Sequence, residues 1–213
     1  RYSPWNNVAT DFHGYIDQVR ITENIARYSP GFTVQTNPFA DSIAGDSSYN
    51  NVSLLLHMNG ANGSTTFTDN SANNFTPTVL GNAQISTADS KFGGASAYLD
   101  GTGDYLSYAD NAAFEFGSGD FTVEMWIKTN SSRQYATLIS RGVAGFGSGS
   151  WTLMINYATA TTGDVAVIVS NYSTSALLLQ SGNKVNVRDN QWHHIAWVRS
   201  GTNHFLFVDG VPV

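Results

Sequence analysis

Residues 121–128 read FTVEMWIK, and this stretch decides the fold class. Apolar residues alternate along it with polar or mixed ones, with a period of two. The residues that share its apolar face are Phe121, Val123, Met125 and Ile127. Successive side chains of a β-strand point to opposite faces of a sheet, so the pattern predicts a strand with one face in a core.

The same kind of pattern continues towards the end of the chain. Residues 151–157 (WTLMINY) alternate likewise, and residues 165–169 (VAVIV) form a β-branched run. Residues 193–199 (HHIAWVR) and 204–208 (HFLFV) flank the turn sequence SGTN, which predicts a hairpin. No stretch shows a sustained helical period of about 3.6 residues. The sequence therefore predicts an all-β sandwich.

Charge and composition exclude several functions. The 213 residues include 10 Lys and Arg against 16 Asp and Glu, which gives a net charge of −6. Such a chain has no phosphate-neutralising surface for nucleic acid, and anionic membranes are disfavoured. The apolar run at 165–169 is far shorter than the roughly 18 residues of a membrane span, so no membrane insertion is predicted. There is no cysteine, which excludes disulfides and thiolate catalysis.

Four motifs, in this order, resemble a laminin G-like domain of the concanavalin A-like lectin/glucanase superfamily. They are SLLLHMNGANGSTTFTDNSANN (53–74), STADSKFGGASAYLDGTGDYLSY (86–108), FGSGDFTVEMWIKT (116–129) and QWHHIAWVRSGTNHFLFVDG (191–210). The resemblance covers residues 52–213. It implies that the sandwich is an antiparallel, two-sheet jelly roll.

The opening segment FHGYIDQVRITENIARYSPGFTVQTNPF (12–39) resembles the closing segment of the same kind of domain. The resemblance implies that residues 1–36 close a preceding repeat, that 37–51 form a linker, and that 52–213 form a domain without its own closing strands. The alternative is a circular permutation, in which residues 1–21 close the domain that starts at Val52. The Asn, Ser, Gly and Pro content of 37–51 is typical of a linker.

Catalysis is not predicted. A glycosidase needs two carboxyl groups that flank the scissile bond. Glu124 stands alone on its strand, with Thr122 and Trp126 as its neighbours on the same face. We therefore expect no enzyme, and a glycoside hydrolase is the less favoured alternative.

The resemblance also implies a candidate calcium site. Laminin G-like domains often bind Ca²⁺ at the rim of the sandwich through carboxylate and carbonyl oxygens. The loops at 69–74 and 100–104 offer such oxygens, and the candidate ligands are Asp69, Asp100 and Asp104. The alternative is that these side chains only stabilise their own turns.

Sugar recognition combines aromatic faces with polar groups that hydrogen-bond to hydroxyls. The candidates on loops or on the polar sheet face are Arg141, Trp151, Asn156, Tyr157 and Tyr172. Three other tryptophans, Trp126, Trp192 and Trp197, are predicted to be core residues.

These observations predict a non-catalytic binding or adhesion module for a glycan or another cell-surface ligand. GYIDQVRIT (14–22), ARYSPGFT (26–33) and KFGGASAYLDGTGDYL (91–106) resemble repeats of phage tail or virion fibre proteins and of bacterial surface proteins. This resemblance implies tandem copies, neighbouring repeats as partners, and an extracellular or virion-associated location. The alternative is a purely structural spacer or assembly domain of a virion or filament.

Overall fold

The computed structural model describes residues 11–29, 31–143, 146–159, 161–171 and 174–213. Within these ranges the first seven strands are β1 (His13–Glu23), β2 (Val52–Leu56), β3 (Thr78–Leu80), β4 (Gln84–Ser86), β5 (Ser96–Asp100), β6 (Tyr105–Ser107) and β7 (Phe121–Lys128). The remaining strands are β8 (Ala136–Val143), β9 (Phe146–Ile155), β10 (Val165–Asn171), β11 (Thr174–Gln180), β12 (Trp192–Ser200), β13 (Asn203–Val208) and β14 (Val211–Pro212). Short 3-10 helices lie at Tyr49–Asn51, Ala112–Phe114 and Gly182–Lys184. None of the described helices has the length and apolarity to cross a bilayer.

The strands form two principal sheets that pack face to face. The eight-stranded sheet has the order β14-β13-β12-β7-β1-β5-β4, with β2 also paired to β1. The four-stranded sheet has the order β11-β10-β9-β8, and β3 and β6 form a two-stranded sheet. The pairs between these strands are antiparallel. The predicted antiparallel all-β sandwich is confirmed.

The apolar face of β7 lies in the core, as the alternation of residues 121–128 predicts. Val123 and Ile127 are fully buried, and they share one core with Leu153, Ile155 and other residues of the four-stranded sheet. The opposite face of the eight-stranded sheet points away from this core, and we call it the outer face. The side chains at the alternate positions of the strands of the large sheet therefore lie on the outer face.

Strand β1 lies in the middle of the eight-stranded sheet. It pairs with β7 on one side, where Ile16 lies opposite Ile127, and with β2 and β5 on the other. A bulge interrupts the pairing with β7 between Asp17 and Arg20, where Gln18 has a φ of 51°. In this chain, the strand therefore completes the sheet built by residues 52–213. The assignment of 1–36 to a preceding or a permuted repeat stays a prediction.

Residues 24–29 and 31–51, which we call the cover segment, run across part of the outer face between β1 and β2. Tyr28 and Phe32 stack with their ring centroids 3.6 Å apart and pack on Phe207. Phe39, which is only 2% exposed, packs against Val52 and Leu55. The stretch 37–51 has the composition of a linker, yet its Phe39 is anchored in the folded domain.

Candidate ligand-binding face

A row of five side chains crosses the part of the outer face that lies beside the cover segment. In order across the sheet these residues are Trp192 of β12, Lys128 of β7, Tyr15 of β1, Tyr98 of β5 and Gln84 of β4. Each lies directly opposite the next in the strand register, and neighbouring strands are about 4.8 Å apart. All five are partly exposed. We call this set the aromatic row.

The two tyrosines of the row are in direct contact. The ring centroids of Tyr15 and Tyr98 lie 5.1 Å apart, with the planes inclined by 45°. The ring of His13 meets Tyr98 edge-on at 6.3 Å. Large rings packed against one another lose little further freedom when a ligand binds, so they form a preorganised apolar surface.

Asp89 fixes the other end of the row. Its carboxylate accepts a hydrogen bond of 2.6 Å from Lys128 Nζ and one of 2.9 Å from Trp192 Nε1. Partial burial would raise the pKa of Asp89, but these two donors outweigh it and hold the pKa below its usual value. The indole and the ammonium group are therefore held side by side by one ionised carboxylate.

The loop that carries Asp89 is itself attached to β1. The carboxylate of Asp17 accepts hydrogen bonds from the backbone N–H groups of Lys91 and Phe92, at 2.9 and 3.0 Å. Burial raises the pKa of Asp17 to about 6 despite these bonds. Lys91 Nζ lies 4.0 Å from the ring centroid of the buried Trp126. This loop thus borders the aromatic row and carries the positive charge of Lys91 near its buried neighbour Trp126.

The cover segment buries a second group of polar side chains on the outer face. Glu124 is fully buried, and its carboxylate lies 2.7 Å from Arg20 Nη2. Tyr28 donates its hydroxyl proton to Glu124 at 2.7 Å, and His194 Nε2 lies 3.1 Å away. Desolvation would raise the pKa of Glu124, but the charge of Arg20 and these hydrogen bonds lower it to about 2. Glu124 is therefore ionised near neutral pH and is buried out of reach of a substrate.

This arrangement does not suit glycoside hydrolysis. The general acid of a glycosidase must hold a proton near neutral pH and must reach the glycosidic oxygen. Glu124 meets neither condition.

Two of the sequence-predicted ligand contacts lie in the interior. Trp151 is 6% exposed, stacks on Phe116 with centroids 5.5 Å apart, and belongs to the core between the sheets. Asn156 is fully buried, and its amide group donates to the carbonyls of Ser131 and Arg133. Both side chains therefore stabilise the fold in this structure.

Arg141 and Tyr157 are partly exposed but lie apart from the aromatic row. Arg141 is on β8 and forms ion pairs with Glu115 at 2.6 Å and with Asp110 at 3.5 Å. Tyr157 packs edge-on against Tyr135 beside the four-stranded sheet. Tyr172, the fifth predicted contact, lies outside the described residues.

The three candidate calcium ligands already have hydrogen-bond partners. The carboxylate of Asp69 accepts four hydrogen bonds, from Leu55 N, Phe75 N and both the N–H and the hydroxyl of Ser71. Asp104 accepts from the backbone of Asn82 and Asp100, and Asp100 accepts from Thr102 N. Across the described ranges, no group of three or more His, Asp or Glu side chains is placed to hold a metal ion. These carboxylates stabilise turns and do not fit a calcium ion in this arrangement.

The aromatic row was not predicted from the sequence, and Trp192 is a correction. It was expected in the core, but it occupies an outward position at the start of β12 and is partly exposed. Tyr15 and Tyr98 occupy alternate positions in GYIDQV and SAYLD, which marks them as outward once a strand is assumed. Their contact depends on the register between β1 and β5, which no local pattern reveals.

Comparison with known proteins gives one match. The family model described as "Concanavalin A-like lectin/glucanases superfamily" matches residues 100–213, more than half of the chain. These residues contain strands β6 to β14 and therefore the whole four-stranded sheet. Neither the curated proteins nor the solved structures contain a match.

Proposed function

The chain belongs to the concanavalin A-like lectin/glucanase superfamily, and from this premise we propose that it is a non-catalytic binding or adhesion module for a glycan or another cell-surface ligand. Laminin G-like members are typically binding modules, although the superfamily also includes glycosidases. We place the ligand on the aromatic row of the outer face.

The observation that carries the proposal is the partly exposed contact between Tyr15 and Tyr98, which lies in line with Trp192. A pyranose ring has apolar C–H faces that pack on aromatic rings and a rim of hydroxyls that need hydrogen-bond partners. Lys128 and Gln84, which belong to the same row, provide donors and an acceptor at that rim. Neighbouring residues of the row are one strand spacing, or about 4.8 Å, apart. This arrangement suits a ligand that extends across several strands.

The ionised, buried Glu124 supports a non-catalytic role. Its pKa of about 2 leaves no proton to donate near neutral pH. The cover segment also keeps ligands from reaching it, since Tyr28 occupies one of its oxygens.

For the biological setting we propose a phage tail fibre, a virion or a bacterial surface protein, outside the cell. Neighbouring repeats would then be partners, and several weak sites in one array would gain avidity. The motifs 14–22, 26–33 and 91–106 support this setting through their resemblance to such repeats.

A structural spacer is the second candidate, and the burial of Trp151 and Asn156 favours it. Both were expected at a ligand surface, and both instead hold the sandwich together. A spacer would need no ligand on the aromatic row.

Titration of the protein with a panel of bacterial surface polysaccharides, followed by calorimetry, tests the proposal. We expect saturable binding of at least one polysaccharide, which Tyr15→Ala and Tyr98→Ala weaken. Tyr157→Ala is the matched control, because this tyrosine is also partly exposed but lies beside the other sheet. Failure of the wild-type protein to bind any member of the panel would favour the spacer.

A further inference from the structure

A cavity of about 700 Å³ lies within the sandwich. Its floor is the inner face of the eight-stranded sheet, with Ile16, Val19, Leu56, Ala97, Leu99 and Met125 among the lining residues. Its walls are residues 137–142 of β8 and residues 104–110 around β6. The walls belong to the edge strand β8 of the four-stranded sheet and to β6 of the two-stranded sheet. Among the described strands, these two sheets do not pair with each other.

Both ends of the gap between these walls are spanned by specific contacts. At one end, Asp11 forms a bridge to Thr137, and its carboxylate accepts a 2.9 Å hydrogen bond from Gly103 N. At the other end, Arg141 reaches across to Glu115 and Asp110. Thr137 and Arg141 are four positions apart, or about 13 Å along a strand. An extended polypeptide that passed through the gap would have to break the contacts at both of its ends, whereas a compact molecule would not.

The charges around the cavity are unbalanced. Among the described residues that line it, Asp11, Asp104 and Asp110 are acidic and one residue, Arg141, is basic; Arg141 is already paired with carboxylates. Asp110 is at the opening, because its side chain is 85% exposed. A negatively charged ligand would meet repulsion here, and a neutral or positive one would not.

We propose that this cavity is a binding site for a small apolar molecule that is neutral or carries a positive charge at one end. The volume lies within the range of about 300–1,000 Å³ that is usual for small-molecule sites, and the floor is apolar. An apolar ligand would replace water against the inner faces of β1, β5 and β7. The site does not depend on the glycan proposal, because the aromatic row lies on the opposite face of the same sheet.

The test uses the full chain and the neutral fluorescent probe N-phenyl-1-naphthylamine. We expect saturable binding with one site per chain, and displacement by decanol and by decylamine. Decanoate has the same chain length and the opposite charge to decylamine. We expect it to compete at least about fivefold more weakly than decylamine.

Two variants locate the site. Ala97→Leu fills part of the cavity from its floor and should weaken binding of the probe at least about tenfold. It should not lower the melting temperature, because the added isopropyl group enters open space in the cavity. Asp110→Lys should shift the competition towards decanoate and leave decanol unchanged. Asp41→Lys is the matched control, since it makes the same charge change at an exposed aspartate that does not line the cavity.

Three results would overturn the proposal. The first is no saturable binding of the probe to the wild-type protein. The second is a folded Ala97→Leu variant that binds the probe as the wild type does, together with an Asp110→Lys variant that does not shift the competition towards decanoate. The third is the finding that the protein is a dimer and that the dimer does not bind the probe, because a second copy of the chain would then fill the cavity. If Ala97→Leu does not fold, the shift caused by Asp110→Lys decides alone.

Discussion

Arg20 and Glu124 form a buried ion pair, with Nη2 and Oε1 2.7 Å apart beneath the cover segment. Arg20 comes from β1 and Glu124 from β7, so the pair joins the opening strand to the strand that sets the fold class. Asp46 of the cover segment adds a second carboxylate on Arg20 at 3.2 Å. The opening strand, the central strand and the segment that covers them are thus linked by one charged network.

Removing the charge of Glu124 should destabilise the protein severely. Glu124→Gln leaves the guanidinium of Arg20 buried with less compensation, and breaking such a pair costs about 3–5 kcal/mol. Urea denaturation would measure this loss in the free energy of unfolding. Glu115→Gln is the matched control, because it removes an Arg–Glu pair whose glutamate is 56% exposed, and the expected loss is below about 1 kcal/mol. Equal losses in the two variants would contradict the structural role of the buried pair.

Asp17 should make stability depend on pH in the acid range. Burial raises its folded-state pKa from 3.8 to about 6. Because this pKa is raised, protonated Asp17 makes its full contribution to the free energy of unfolding below about pH 3.8. The contribution is lost as the pH rises through about 6. The Asp17→Asn variant should lack this component, so the difference in unfolding free energy between the two proteins should change between pH 4 and 6 by about 2–3 kcal/mol. A difference that stays constant across this interval would show that Asp17 does not titrate there.

The cover segment should depend on Phe39 for its attachment. Phe39 is almost fully buried against Val52 and Leu55, and Arg20 lies 4.0 Å over its ring. Phe39→Ala should cost about 3–5 kcal/mol of stability. Ile43→Ala is the control, since Ile43 lies in the same segment but is 59% exposed, and its effect should stay within about 0.5 kcal/mol. If Phe39→Ala were as mild as Ile43→Ala, residues 37–51 would act as the free linker that their composition predicts.

Calcium should not change the stability of this domain. The four hydrogen bonds on Asp69 and the two backbone donors on Asp104 leave their carboxylates engaged. Melting temperatures measured with Ca²⁺ and with excess EDTA should therefore agree. A rise with Ca²⁺, which Asp69→Ala or Asp104→Ala abolishes, would mean that these loops rearrange to bind the ion, because a ligand of the folded state stabilises it by mass action.

The sequence predicted the strands but not their long-range partners. Alternation in residues 121–128 and the hairpin at 193–208 depend on neighbours along the chain, and both are present in the structure. The central position of β1 depends on which of several sheet edges it joins, and local alternation carries no information on that choice. The composition of 37–51 likewise does not reveal its two points of attachment, because one buried Phe39 and one charged Asp46 are enough to fix a Ser- and Asn-rich segment.

The position of the candidate site could not be predicted from the sequence either. Arg141, Trp151 and Asn156 have suitable chemistry for a sugar, but residue type does not tell which face of a strand meets the core. Trp151 and Asn156 are buried, whereas the aromatic row combines residues from five strands far apart in the sequence. Only the folded register brings Tyr15, Tyr98 and Trp192 into line.

A series of substitutions at Trp192 should separate aromatic stacking from hydrogen bonding on this row. Trp192→Phe keeps a ring and loses the hydrogen bond to Asp89, so the affinity for a bound polysaccharide should fall only about threefold. Trp192→Ala loses the ring and should reduce affinity about tenfold, which corresponds to an aromatic contact of about 1.4 kcal/mol. Trp126→Phe is the control, because that indole is buried beside the row, and it should leave affinity unchanged. Calorimetric titration of the three variants measures these changes, and equal affinity of Trp192→Ala and wild type would place the ligand elsewhere on the molecule.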